Sequence, residues 1–225
     1  MKLLHFFYDL LDTAFPQKCV GCKQVLHKKE NILCLKCYSE VPYIDKKGNN
    51  ALNIEWADKL EVNGFWACMY FNKGGLVQML IHALKYRGEE KVGQFIGKRL
   101  SKLISNQEHQ IDIVTSVPLH SQRLKKRGFN QADLFAQTLA SELNISFHPI
   151  LKRVKNTKTQ TQMSRLERAE NVQDAFALIS QNKFEGKHVL VVDDVLTTGA
   201  TMQSCVKLLD KNGMKVSVAV MAMAR

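Results

Sequence analysis

Val189-Leu190-Val191-Val192-Asp193-Asp194-Val195-Leu196-Thr197-Thr198-Gly199-Ala200-Thr201 is the stretch that decides the fold. From His188 to Val192 the chain is apolar with no alternation after its first residue, as in a strand covered on both faces, and such strands belong to parallel sheets. Asp193 and Asp194 sit at its carboxyl end. A loop of hydroxyl-bearing and small residues follows, then a helix over Gly199–Asn212 closed by Gly213. The first N–H groups of a helix lack carbonyl partners and carry the positive end of its dipole, which suits phosphate. Thr197, Thr198 and Thr201 add hydroxyls, and Gly199 with Ala200 lets a ligand approach the backbone. Two acids would repel a bare phosphate. Their expected task is to accept hydrogen bonds from sugar hydroxyls, with a divalent cation nearby. A sugar carrying a diol and a phosphate on one ring fits both halves. Neither G-x-x-x-x-G-K-[ST] nor G-x-G-x-x-G occurs in the chain. The plainer reading, an ordinary strand–turn–helix with a surface acid pair, leaves the coincidence of acids, threonines and glycine unexplained.

Strands and helices alternate around this stretch. A strand is expected at Ile111–Val117, ending at Pro118, then a helix at Phe129–Leu143, a strand within 145–151 and a last strand at Lys215–Ala222. Upstream, Val62–Phe71 has strand composition, and two helices follow, one ending at Lys85-Tyr86-Arg87-Gly88 and one over Glu89–Ile104. Lys46–Asn53 is turn-rich and reads as a linker. The fold class is α/β, a parallel sheet with helices on both faces. Such sheets bind ligands beyond the carboxyl ends of their strands, here just after Val117 and just after Val192.

The chain has 225 residues, 45% hydrophobic and 24% charged, with net charge +11. That excludes a mostly disordered chain and a disulfide scaffold. Met1–Phe15 is apolar, but Asp9 and Asp12 interrupt it, and the helical spacing of Leu3, Leu4, Phe7, Leu10 and Leu11 reads as an amphipathic helix packed on the body. No run is long enough to span a membrane, and the cytoplasm is the expected compartment. Of the net charge, +7 lies in residues 119–168. It comes from Arg123, Lys125, Lys126 and Arg127, then Lys152, Arg153, Lys155, Lys158, Arg165 and Arg168. Each run has a plain reading as a solvated face. Flanking one helix, the two together suit an anion: the phosphates of a small ligand or of a nucleic acid.

Cys19-x-x-Cys22 and Cys34-x-x-Cys37 place two thiolate pairs within reach of one tetrahedral Zn²⁺. Gly21 permits the sharp turn. Redox chemistry needs only one such pair, so a structural zinc that folds the segment is the expectation. Cys68 and Cys205 lie in apolar stretches and read as buried small side chains.

Val191–Thr201 resembles the 5-phosphoribosyl-1-pyrophosphate (PRPP) motif of type I phosphoribosyltransferases. The likeness narrows further. Pro118-Leu119-His120, Arg123, Arg127-Gly128-Phe129-Asn130-Gln131, Lys85-Tyr86-Arg87-Gly88, Thr157, Gln160, Arg165, Arg168, Asn171, Phe176 and the four cysteines resemble the competence-associated ComF family, from Phe15 to the end of the chain. Met163 stands where that family more often has Leu. The resemblance implies a type I phosphoribosyltransferase-like domain at 51–225, preceded at 1–50 by a helix and a zinc knuckle. It implies that Asp193 and Asp194 hold the ribose hydroxyls of PRPP, that Thr197, Thr198, Gly199, Ala200 and Thr201 hold its 5-phosphate, and that Pro118, Leu119 and His120 face its pyrophosphate with Mg²⁺. On charge alone, Arg123, Lys125 and Arg127 either neutralise pyrophosphate or are solvated loop cations. Asn130 is either a site residue or a helix cap. His120 is an acid, a ligand or an idle loop histidine.

Two functions follow as expectations. In one, an acceptor nitrogen attacks ribose C1 as Mg-pyrophosphate leaves, with Asp193, Asp194 and Arg127 as the catalytic set. In the other, the PRPP pocket senses its ligand, and Lys125, Lys126, Lys152, Arg153, Lys155 and Lys158 hold single-stranded DNA during natural competence, beside other competence proteins. A plain nucleobase salvage enzyme has less need of a zinc knuckle.

Overall fold

The computed structural model describes residues 16–104, 110–155, 175–180 and 183–224, the side chain of residue 126 excepted. The helix expected at residues 1–15 lies outside these, as do Thr157, Lys158, Gln160, Met163, Arg165, Arg168 and Asn171. The elements in chain order are α1 (Leu35–Glu40), α2 (Lys46–Leu60), β1 (Phe65–Phe71), α3 (Leu76–Arg87), α4 (Glu90–Ile104), β2 (Ile113–Ser116), α5 (Ser121–Arg127), α6 (Gln131–Leu143), β3 (Ser146–Phe147), β4 (Leu151–Arg153), β5 (Phe176–Leu178), β6 (His188–Leu196), α7 (Ala200–Asp210) and β7 (Lys215–Ala224).

Five strands form one parallel sheet in the order β1-β7-β6-β2-β3. Successive residues of β6 divide between its two faces, as the period of a strand requires. Leu190 and Val192 join Leu80, Leu84, Ile96, Leu100, Phe135 and Leu139 of α3, α4 and α6 on one side. Val189 and Val191 join Leu52, Trp56, Met202, Val206 and Leu209 of α2 and α7 on the other. Both faces are therefore covered, which is why the strand is apolar from Val189 to Val192. Cys68 and Cys205 are fully buried in these two layers. Cys19, Cys34 and Cys37 share the cluster of α3 and α4, so the cysteine segment packs on the sheet's helical layer. Among the described residues no helix is long and apolar enough to cross a membrane.

Lys46–Asn53 is a correction: the stretch read as a linker is the first half of α2, which also runs through residue 50. Asp45 caps it by accepting from Gly48 N at 2.7 Å. Its buried face is Asn49, Leu52, Trp56 and Leu60, a helical spacing whose first member is polar and so hides the period. Asn49 spends its amide on β1, donating to Ala67 O at 3.1 Å and accepting from Ala67 N at 2.9 Å. Asn53 Oδ1 accepts from Phe65 N at 2.6 Å. The preceding segment continues the pairing, with Ile44 N donating to Cys68 O and Tyr70 N to Pro42 O.

Two smaller differences matter to the site. Ser121–Arg127, read as a basic loop, is the short helix α5, ended by Gly128 in the left-handed region at φ 81°. The strand expected within 145–151 divides: β3 joins the main sheet beside β2, and β4 pairs antiparallel with β5 in a separate two-stranded sheet.

Candidate active site

β6 extends to Leu196, so Asp193 and Asp194 lie within the strand near its carboxyl end, and Asp193 still pairs with Val220 of β7. The loop is only Thr197–Gly199. Gly199 is the N-cap of α7 at φ 82°, a conformation that L side chains rarely adopt, and a Cβ there would come within 3.0 Å of the Trp56 ring. The indole thus underlies the turn. Ala200 N approaches Thr198 Oγ1 at 3.5 Å. Asp193, Asp194 and Thr197–Met202 line one wall of a cleft of about 280 Å³, and Val117, Pro118, Leu119, Arg123, Arg127 and Asn130 line the other. Both expected strand ends therefore meet at one site.

Asp193 Oδ1 accepts from Asp194 N at 2.8 Å. Burial, and then the neighbouring Asp194 charge, push the Asp193 carboxyl up to about 7, against the pull of that N–H, Lys85 and Arg153. Asp194 is not a bare carboxylate: its Oδ2 lies 2.7 Å from Lys85 Nζ, with the two side chains only 17% and 19% exposed. Arg153 also lines the cleft. Burial, and then Arg123, lower its guanidinium from the ordinary range, while Asp193 supports it. Among the described residues, four cations, Lys85, Arg123, Arg127 and Arg153, thus face two acids in the cleft lining. Such a surplus suits a multiply charged anion.

The other wall is held by the Arg127–Gln131 block. Asn130 caps α6 through Ala132 N and donates to Val117 O at 3.2 Å and to Asp133 Oδ1 at 2.7 Å. Ser116 Oγ also donates to Asp133 Oδ1. These bonds tie the start of α6 to the end of β2 and so set the Pro118–His120 turn. Arg127 donates to Gln131 Oε1 at 2.8 Å and to Tyr86 Oη at 3.4 Å, with its guanidinium 5.2 Å from the Tyr86 ring centre. His120 caps α5 by accepting from Gln122 N at 3.4 Å, and it is not among the cleft-lining residues. Lys125, Lys152 and Lys155 are exposed outside the cleft.

The cysteines form a second centre. The Sγ atoms of Cys19, Cys22, Cys34 and Cys37 all lie within 4.8 Å of one another, and Cys22 and Cys34 are 3.6 Å apart. The edge of a tetrahedron with bonds of about 2.3 Å is about 3.8 Å, so the four sulfurs fit one Zn²⁺. Cys34 N and Cys37 N donate to Cys19 Sγ and Cys34 Sγ. Burial opposes ionisation of Cys19, but N–H groups of Cys34, Cys22 and Gly21 overcome it and bring the thiol to about 6. Burial, then the adjacent thiols, push Cys37 up to about 12. Four such sulfurs ionise together only around a cation.

Comparison with known proteins agrees with this geometry. Residues 130–225 match the phosphoribosyl transferase domain family. Competence protein F of Haemophilus influenzae is 32% identical over 94% of this chain and 98% of its own length. The chain belongs to the competence protein F family. Within that family's reach, the DNA utilization protein YhgH of Salmonella typhi is 34% identical over 61% of this chain and 62% of its own length, so the matched part falls short of two thirds of that relative. Adenine phosphoribosyltransferase of Leishmania tarentolae superposes on 70% of this chain and 78% of its own with a TM-score of 0.42 at 14% identity. In this chain the cysteine cluster and the parallel five-stranded sheet occur together. Lys85 in contact with Asp194, and Arg153 inside the cleft, were not assigned there from the sequence. Their only signals were the Lys85–Gly88 block and the spacing of Arg153 at the end of a strand.

Proposed function

We propose that the chain binds PRPP in this cleft and transfers its ribose phosphate to an acceptor, in a role tied to natural competence and the handling of DNA. The carrying observation is the meeting of Asp193 and Asp194 with the Thr197–Thr201 turn at the mouth of one cationic cleft. In this reading the α7 start and its threonines take the 5-phosphate, and the two carboxylates accept the ribose hydroxyls. The acceptor nitrogen forms its bond to C1 as the C1–oxygen bond breaks. The electron pair leaves with pyrophosphate, and the acceptor's proton passes to solvent. Arg123 and Arg127 meet the charge that develops on the leaving group, and the fixed walls hold the reactants in line. Asp193 and Asp194 are the cleft's carboxylates, a donor set that fits Mg²⁺ shared with a polyphosphate ligand. The ion would supply charge neutralisation of pyrophosphate. The cysteine centre is read as a structural zinc.

Calorimetric titration of PRPP with Mg²⁺ tests the pocket. Heat is expected with the wild-type protein and none with Asp193→Asn/Asp194→Asn. An unchanged double variant, or a folded, zinc-loaded wild type that gives no heat, would refute the reading. Single-stranded DNA is a second ligand supported by a specific feature: Lys125, Lys152 and Lys155 are exposed outside the cleft, a basic surface suited to a phosphate backbone.

A further inference from the structure

We propose that Lys85, held by Asp194, is a ligand-contacting cation for the diphosphate of PRPP and sets the preference for PRPP over ribose 5-phosphate. The inference rests on the PRPP reading above. Lys85 stands in the last turn of α3, which Gly88 ends in the left-handed region. Its Nζ meets Asp194 Oδ2 at 2.7 Å, and both residues line the cleft. Burying this much of an ion pair is expensive in desolvation, and a lysine in the last turn of a surface helix ordinarily stays in water.

The contact leaves capacity on both sides. An ammonium has three donors and a carboxylate has two oxygens, so Asp194 keeps Oδ1 for a sugar hydroxyl while Lys85 keeps donors for something else. The chemistry of ribose says what that is. C1 neighbours the C2 hydroxyl, whereas the 5-phosphate hangs from C4 on the opposite side of the ring. A sugar with its diol on the acids and its 5-phosphate on the Thr197–Thr201 turn carries its C1 substituent away from that turn, within the cleft that Lys85 also lines. The lysine is also held in place. The next residue, Tyr86, accepts from Arg127, which joins the end of α3 to the wall that faces the cleft. Arg123, Arg127 and Arg153 share this lining with Lys85, more positive charge than a 5-phosphate seated on α7 needs.

The test titrates PRPP and ribose 5-phosphate, each with Mg²⁺, into wild type, Lys85→Met, Lys85→Arg and Lys207→Met. Lys207 is exposed on α7, so that variant controls for loss of one positive charge. Lys85→Met is expected to weaken PRPP about tenfold or more, the scale of one charge-assisted hydrogen bond. It should move ribose 5-phosphate by no more than about threefold, within the spread of an indirect effect. Lys85→Arg should retain most PRPP affinity, and Lys207→Met all of it. Equal weakening of both ligands in Lys85→Met would make the pair structural and overturn the inference, as would unchanged PRPP binding. If wild type binds PRPP and ribose 5-phosphate with equal affinity, the inference falls and the pocket reading stands. If wild type binds neither, the pocket reading fails and takes the inference with it.

Discussion

Asp193→Asn is expected to stabilise the protein, and more so at high pH. Asp193 is held at about 7 against an ordinary value of 3.8, first by burial and then by the charge of Asp194. Between those two values the folded protein binds more protons than the unfolded chain. Its stability therefore falls as pH rises through that window and levels off above it. Asparagine has the same shape, and its Oδ1 can still accept from Asp194 N, now at 2.8 Å to Asp193. The comparison thus isolates the charge. Integrating the linkage for a carboxyl that titrates at about 7 folded and about 3.9 unfolded gives roughly 1–2 kcal/mol of lost stability by pH 5 and roughly 4 kcal/mol by pH 8. The difference, roughly 2–3 kcal/mol, is the amount by which the gain from Asp193→Asn should grow between those two pH values. Titrations of groups remote from Asp193 occur in both proteins and cancel. Urea unfolding of the two zinc-loaded proteins at pH 5 and pH 8 measures it. A gain that is equal at both pH values, or that shrinks at pH 8, would refute the claim that this carboxylate is held at a cost to the fold.

Gly199→Ala places a Cβ in the left-handed region 3.0 Å from the Trp56 ring. It should lower stability by about 1–3 kcal/mol and weaken PRPP about tenfold or more, read by thermal melting and calorimetry. Removing the metal with a chelator should lower the melting temperature by about 10 °C or more, since a structural zinc contributes roughly 10 kcal/mol of binding energy and three of the cysteines are buried in the main core. Elemental analysis should find a single zinc per chain, lost in Cys34→Ser. If Lys125, Lys152 and Lys155 each neutralise one phosphate of single-stranded DNA, affinity should fall about twentyfold between 50 and 200 mM salt, from a slope of roughly −0.7 per contact. Fluorescence anisotropy at the two salt concentrations checks this, and a salt-independent affinity would remove the DNA reading.

The parts of the site that lie close together in the chain were readable there. Asp193 to Thr201 is a strand end, a turn and a helix start, and each local signal agrees with its neighbours. The two cysteine pairs carry their spacing in the same way. What the sequence concealed depends on contacts between distant segments. Lys85 and Asp194 are far apart in the chain and meet only because α3 ends beside β6. Arg153 looked like one more member of a basic run, but a strand turns alternate residues to opposite sides, leaving Lys152 exposed and sending Arg153 into the cleft. α2 was hidden for a different reason. Lys46-Lys47-Gly48-Asn49-Asn50 is a poor helix former by itself. It holds as a helix because Asp45 caps it, Trp56 and Leu60 bury its face, and Asn49 satisfies β1. Tertiary contacts overrode local preference.

The pairing along β1 has a consequence for the life of the protein in a concentrated solution. β1 is an outermost strand, and such a strand ordinarily offers a row of open N–H and C=O groups to any other extended chain. Here Asn53, Asn49, Ile44 and Pro42 occupy Phe65, Ala67, Cys68 and Tyr70 in turn. Two side-chain amides and a stretch of irregular backbone do what an extra strand would do, without creating a new margin that itself needs covering. The segment between the cysteines and the sheet is thus a seal against strand-to-strand aggregation. Losing it would show first as poor solubility, before any loss of ligand binding could be measured.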